Sequence, residues 1–232
     1  MFFKNIISCH NLYINKPFET GVKQTEINGL LVSVVLMTII FSVQKIIEND
    51  LPTIAQIAAF SLIIIGLNVA AKKGMGHMLD ATVEHEIWTL SRFGYRPHNH
   101  LKKEMQAGIF IPLLASLITL GLLKLPIFLT YETNATRYRS SKRHGFTEIT
   151  EFHNALIGAS GVIIILILSV IAYLLPYNLE LLAAMSSFYC FFNLLPISKL
   201  DGTQIYFGSR MLFIVLAIIS LIFAGYSIGY YM

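Results

Sequence analysis

Five stretches of the chain are nearly free of charge and rich in Leu, Ile, Val, Ala and Phe: residues 29–43, 54–71, 155–175, 179–196 and 211–230. A helix that crosses a bilayer needs about 20 consecutive apolar residues, so each of these predicts a membrane-spanning helix. A sixth apolar stretch, 107–131, holds Pro112, Gly121, Lys124 and Pro126. These residues interrupt a regular helix and place a charge at depth, which predicts a re-entrant hairpin rather than a crossing. Between the spans lie an acidic turn (Glu48-Asn49-Asp50), a polar region 74–104 that follows Lys72-Lys73, and a basic loop with Arg137, Arg139, Lys142 and Arg143. Residues 1–27 are mixed in polarity and predict an interfacial segment on the membrane surface, followed by a membrane domain over 28–232. The fold class read from this pattern is an all-α polytopic membrane protein with about five transmembrane helices and one re-entrant hairpin.

Charge placement orients the pattern, because Lys and Arg in short loops favour the cytoplasmic side. With 107–131 re-entrant, the N-terminal segment, both basic loops and residues 199–210 share one side, while Glu48, Asp50 and Glu180 share the other. This arrangement predicts a cytoplasmic N-terminus and an outward C-terminus.

Composition agrees with a lipid environment: of 232 residues, 55% are hydrophobic and 13% are charged, against about 25% charged in soluble domains. The net charge of +4 does not imply nucleic acid, since the basic residues flank apolar spans. Cys9 and Cys190 are the two cysteines, and Cys190 lies within an apolar run, so no disulfide framework is implied. The short N-terminal apolar stretch is broken by Asn5, His10 and Asn11 and lacks a small-residue cleavage pattern, which argues against a cleaved signal peptide.

The segment richest in chemistry is Asn193-Leu194-Leu195-Pro196-Ile197-Ser198-Lys199-Leu200-Asp201-Gly202. A carboxylate at the end of a span is costly without a partner and marks a functional candidate. Asn193 and Pro196 can open the helix there and turn backbone polar groups into a cavity; the alternative is a plain helix end with Asp201 and Gly202 in a turn.

This segment resembles the Asn-x-x-Pro to Leu-Asp-Gly motif of the site-2 protease family of intramembrane zinc metalloproteases. The resemblance extends to the small-residue cluster Gly158-Ala159-Ser160-Gly161 and to Val83-Glu84-His85-Glu86-Ile87-Trp88, and covers about residues 55–210. It implies a site-2 protease-like core, an archaeal-type prokaryotic cell membrane, and Asp201 in the place of the third zinc ligand, with Asn193, Pro196, Leu200 and Gly202 completing the motif. The family's first motif is His-Glu-x-x-His, in which two imidazoles bind zinc and the Glu is the general base. At the family's spacing from Trp88 that motif falls on Asn68-Val69-Ala70-Ala71-Lys72. Asn68 and Lys72 then replace the histidines and Val69 the Glu. Val69 takes no proton and an ammonium repels zinc, so the resemblance implies a disabled hydrolase in which Lys72 stands where the metal's charge would be and pairs with Asp201.

Other chemistry is weaker. His85-Glu86 begins like the zinc motif, but Thr89 stands at the second His position. His77, Asp80, Glu84 and His85 read as a solvated helix face, His98-Asn99-His100 as a surface loop, and His153 as an interfacial residue opening a span. Asn134-Ala135-Thr136 matches a glycosylation acceptor but falls on the inner side of the predicted topology. Ser160 lacks the Gly-x-Ser-x-Gly spacing of a nucleophile and reads as a helix-packing residue. Three functions follow. The first is an inactive member of the site-2 protease type that needs no cofactor and binds a transmembrane partner in the bilayer. The second is an active metalloprotease in which zinc sits on Asp201 and two of His77, His85 and His153. The third is a transporter or a structural subunit of a membrane complex.

Overall fold

The computed structural model describes residues 24–92, 100–135, 149–175 and 179–231. The interfacial segment predicted before residue 24, Cys9, His98 and Asn99, Thr136 of the acceptor pattern, and the basic loop with Arg137, Arg139, Lys142 and Arg143 lie outside the described residues.

Seven helices are found among the described residues. They are α1 (Gln24–Ile47), α2 (Leu51–Met78), α3 (Ala107–Ile118), α4 (Glu151–Leu174), α5 (Glu180–Asn193), α6 (Asp201–Gly208) and α7 (Arg210–Tyr231). Four of them, α1, α2, α4 and α7, are long and apolar enough to cross a membrane, as expected of a helical membrane protein. The remaining predicted span, 179–196, holds α5, whose 14 residues reach about 21 Å at 1.5 Å per residue, short of the roughly 30 Å hydrocarbon core.

The fold is not all-α. Strands β1 (Ala81–Ile87) and β4 (Leu129–Ala135) pair antiparallel from Ala81 opposite Ala135 to Ile87 opposite Leu129. Strands β2 (Leu90–Arg92) and β3 (His100–Met105) form a second two-stranded sheet. The reason is visible in the residues: Ala81, Val83 and His85 alternate inward with Thr82, Glu84 and Glu86 outward, a period of two that no helix can present on one face. The predicted helix face of His77, Asp80, Glu84 and His85 is therefore corrected. The helix ends at Met78, Asp80 turns the chain at φ 53°, and Glu84 and His85 lie on opposite faces of β1.

Contacts fix the relative directions of the helices. The turn at residues 48–50 returns α2 antiparallel to α1, with Thr53 Oγ1 donating to Asp50 Oδ2 at 2.6 Å. Ser160 of α4 donates to the Ala71 carbonyl near the end of α2, and Ser169 donates to the Ala183 carbonyl of α5. Gly208 lies against Glu151 and Ala155, which puts the start of α7 beside the start of α4. The start of α1, the ends of α2 and α5, the starts of α4 and α7, and the β1–β4 sheet thus share one face, called the site face below. The turn at 48–50, Leu175 and Leu179 lie on the opposite face. Residues 107–128 enter from the site face as α3 and turn at Leu120 and Gly121, which have φ 51° and 82°. At the tip Gly121 packs against Val43 and Gln44 near the end of α1, and the chain then returns extended into β4. The chain here forms a hairpin whose two ends lie at the site face.

Candidate functional site

The end of α2 and the start of α6 meet inside the site face. Lys72 is carried there by the inward stripe of α2 that includes Ile57, Ser61, Ile64, Ile65, Asn68 and Val69, a 3.6-residue period that aims its side chain at α4 rather than at lipid. Asp201 is the first residue of α6, delivered by the turn that follows α5. Lys72 Nζ lies 2.5 Å from Asp201 Oδ2, both side chains 2% exposed, so the ion pair inferred from the resemblance is present. The two residues are 129 positions apart in sequence. Around the pair, the Tyr131 ring lies 4.7 Å from Lys72 Nζ, and the Tyr131 hydroxyl donates to the Asn154 carbonyl at 2.8 Å. Asn68 Nδ2 donates to the Tyr189 hydroxyl at 2.5 Å. Asn68 Oδ1 and Asp201 Oδ1 are buried with no hydrogen-bond partner among the described residues.

Glycines make this convergence possible. A Cβ on Gly161 would run into the Asn68 amide oxygen and the Lys72 side chain, and one on Gly158 into the Tyr131 hydroxyl. The helix-packing reading of the 158–161 cluster thus has a specific object: α4 comes close enough to seal the site.

The motif residues each have a place. Asn193 Nδ2 donates to the Tyr189 carbonyl at 2.8 Å and to the Pro126 carbonyl at 3.2 Å, so it ties α5 to the returning arm of the hairpin. Pro196 stands exposed in the turn after α5. Leu200 is fully buried with Trp88, Ala107 and Ile127. Gly202 sits directly on the Leu194 carbonyl, leaving no room for a side chain. Val69 lines the same inner face of α2.

The histidines do not converge on Asp201. His77 is exposed in the last turn of α2, and His153 lies in the first turn of α4, its Nδ1 2.9 Å from the capping Thr150 hydroxyl. His85 is committed elsewhere, with its Nδ1 3.2 Å and its backbone N–H 3.3 Å from Glu26 Oε1. Among the described residues no group of three or more His, Cys, Asp and Glu side chains is placed to hold a metal ion.

The Glu26 cluster escaped the sequence reading. Glu26 is 6% exposed and also receives Lys73 Nζ at 2.8 Å, which ties the start of α1 to the end of α2 and to β1. The only sequence signal is an acidic residue in the first turn of an apolar helix. Burial, then the charges of Lys72 and Lys73, push the His85 imidazole down to about 2, so His85 is neutral in the fold. An unfolded histidine titrates near 6.5 and binds a proton that the folded one refuses, so stability is lost as pH falls below about 6.5. The expected slope from His85 is about 1.4 kcal/mol per pH unit between pH 6 and 4. Unfolding in detergent across that range should show the slope reduced in His85→Gln, and an equal slope in both proteins would contradict the assignment.

No family model, no curated protein and no solved structure matches the chain.

Proposed function

We propose that this chain is an integral membrane protein of the site-2 protease type whose hydrolytic centre has been replaced by an ion pair, and that it acts by binding a transmembrane partner rather than by cutting one. The observation that carries the reading is the Lys72–Asp201 pair. The resemblance aligned two residues 129 positions apart with two ligands of one metal, and their side chains meet at 2.5 Å. A coincidental alignment would have no reason to pick two positions that touch. Asn68 and Val69, aligned with the remaining ligand and the base, line the same inner face of α2. An ammonium next to the carboxylate supplies the positive charge that a divalent ion would supply, and leaves neither a Lewis acid nor a base to activate water.

The orientation belongs to the same proposal. Lys72, Lys73, Lys199 and Arg210 lie at the site face, and Glu48, Asp50 and Glu180 lie with Lys45 at the opposite one; under the positive-inside rule this balance supports a cytoplasmic site face. A multi-pass topology in a prokaryotic cell membrane belongs to this reading through the resemblance alone.

Elemental analysis of the detergent-purified protein tests the reading. The expected result is well under about 0.1 zinc per chain after dialysis against micromolar zinc, unchanged in Asp201→Ala. About one zinc per chain, lost in Asp201→Ala, would refute it.

A further inference from the structure

The β1–β4 sheet is attached to the helices along both of its edges. On the β4 side Gln204 Nε2 of α6 donates to the Tyr131 carbonyl at 2.9 Å, the Tyr131 hydroxyl donates to the Asn154 carbonyl of α4 at 2.8 Å, and Lys199 meets Glu132 in an exposed pair at 3.2 Å. On the β1 side the attachment runs through one oxygen of Glu26. Glu26 Oε1 lies 3.3 Å from the His85 backbone N–H, 3.2 Å from His85 Nδ1 and 2.8 Å from Lys73 Nζ. The apolar packing beneath is a small cluster of its own, Ala81, Val83, Tyr131 and Ile157, separate from the main core. An element held by few buried contacts opens at a lower free energy than the core does.

The contact with Glu26 depends on the charge state of His85. A carboxylate only accepts, so Nδ1 carries the imidazole proton and Nε2 carries the lone pair. Nε2 is buried and has no hydrogen-bond partner among the described residues. A second proton there would create a buried N–H with no acceptor, which costs free energy. The surrounding charges oppose it as well. Glu26 faces the imidazole from α1, Lys72 and Lys73 face it from α2, and Tyr131 stands directly opposite it on β4. Asp201 of α6 lies behind Lys72 and is paired with it, while Glu84 and Glu86 point to the other face of the sheet. The two carboxylates are thus matched by the two ammonium groups, and an imidazolium would be an unmatched third cation.

We infer that the Glu26–His85 contact is an acid-sensitive latch: proton uptake by His85 frees β1 from α1 and α2 beside the Lys72–Asp201 pair, while β4 stays on α4 and α6. The latch does not rest on the partner-binding reading. Its sign follows from linkage. The closed form holds the imidazole far below its ordinary value, through burial first and then Lys72 and Lys73, and the open form binds a proton near pH 6.5. Opening therefore grows as pH falls below about 6.5, tenfold per unit, and is nearly constant above about 7. The packing around the pair then follows the acidity of the compartment that the site face meets.

Hydrogen exchange of the residue-85 amide reads the latch directly, because that N–H is bonded to Glu26. In the detergent-solubilised parent, after correction for the intrinsic pH dependence of exchange, its protection should fall about twenty-five-fold between pH 7 and pH 5. Carboxyl groups of the open form titrate near 4, below that window. Amides in the middle of α4 should keep their protection over the same range, and His85→Gln should abolish the change at residue 85. Constant protection at residue 85 in the parent overturns the latch. So does an equal loss in α4, which would mean global unfolding, and so does a fall that persists in His85→Gln. The comparison of residue 85 with α4 within the parent decides the matter even if the variant does not fold. Zinc content is unaffected by His85 in the proposed function, so failure of the latch is distinct from failure of that reading.

Discussion

Lys72→Met, with Asp201 left in place, is expected to destabilise the protein by about 3–5 kcal/mol. The two side chains are each 2% exposed and their charged atoms lie 2.5 Å apart. Losing the ammonium strands a carboxylate whose second oxygen already lacks a hydrogen-bond partner among the described residues. The loss is larger than that of a surface pair because water cannot take over the charge. Removing both partners tells a different story: Lys72→Met with Asp201→Leu should recover most of the stability, since two apolar side chains of similar volume bring no desolvation cost. Exchanging the charges, Lys72→Asp with Asp201→Lys, should be more stable than either single reversal. Unfolding titrations in mild detergent compare these five variants with the parent. If Lys72→Met is as stable as the parent, or if the exchange gains nothing over the single reversals, the pair does not hold α6 to α2.

Gly202→Ala carries the second large effect, about 3 kcal/mol of destabilisation. A methyl at that position would overlap the Leu194 carbonyl and its carbon, and both belong to the backbone of the turn that carries Asp201, which has no rotamer with which to give way. Gly66→Ala is the contrast. Nothing lies within 4 Å of a Cβ there, and Ala is favoured over Gly in a helix by about 1 kcal/mol, so this variant should be as stable as the parent or slightly better. Comparable losses at both positions would mean that the close approach at Gly202 is not what the residue is for.

How far the residues alone lead can be judged element by element. The apolar spans at 54–71, 155–175 and 211–230 were legible because lipid imposes a composition that survives without knowledge of neighbours, and α2, α4 and α7 occupy them with ends shifted by one to seven residues. The hairpin was legible for a similar reason: Pro112, Gly121, Lys124 and Pro126 are each poor choices for a regular crossing, and together they leave a turned path as the consistent one. The length of α5 was not. Its end at Asn193 fits the expectation that Asn193 and Pro196 open the helix, since proline disfavours helical backbone just before it, but that the 14 residues left are too short to cross was not apparent.

The strands were missed where two periods competed. Residues 81–87 carry charges at spacings that suit a helix face, whereas the alternation of Ala81, Val83 and His85 suits a strand; the choice was made by β4, 48 residues or so away along the chain and paired in register with them. The Glu26, Lys73 and His85 cluster was illegible for the same reason, since its three members come from α1, α2 and β1 and none has a local signal.

What the sequence determined by itself is therefore what depends on solvent and on short-range sterics. It set which stretches belong in lipid, where a helix must break, and that Asp201 at the end of a span requires a partner. The resemblance named Lys72 as that partner and the fold brings the two together; only the tertiary structure decided which histidines would be spent on other contacts, and that Gly158, Gly161 and Gly202 stand where backbones and the site close together. Those are long-range facts. A buried charge states its need locally, but the group that meets it is chosen by how the helices pack.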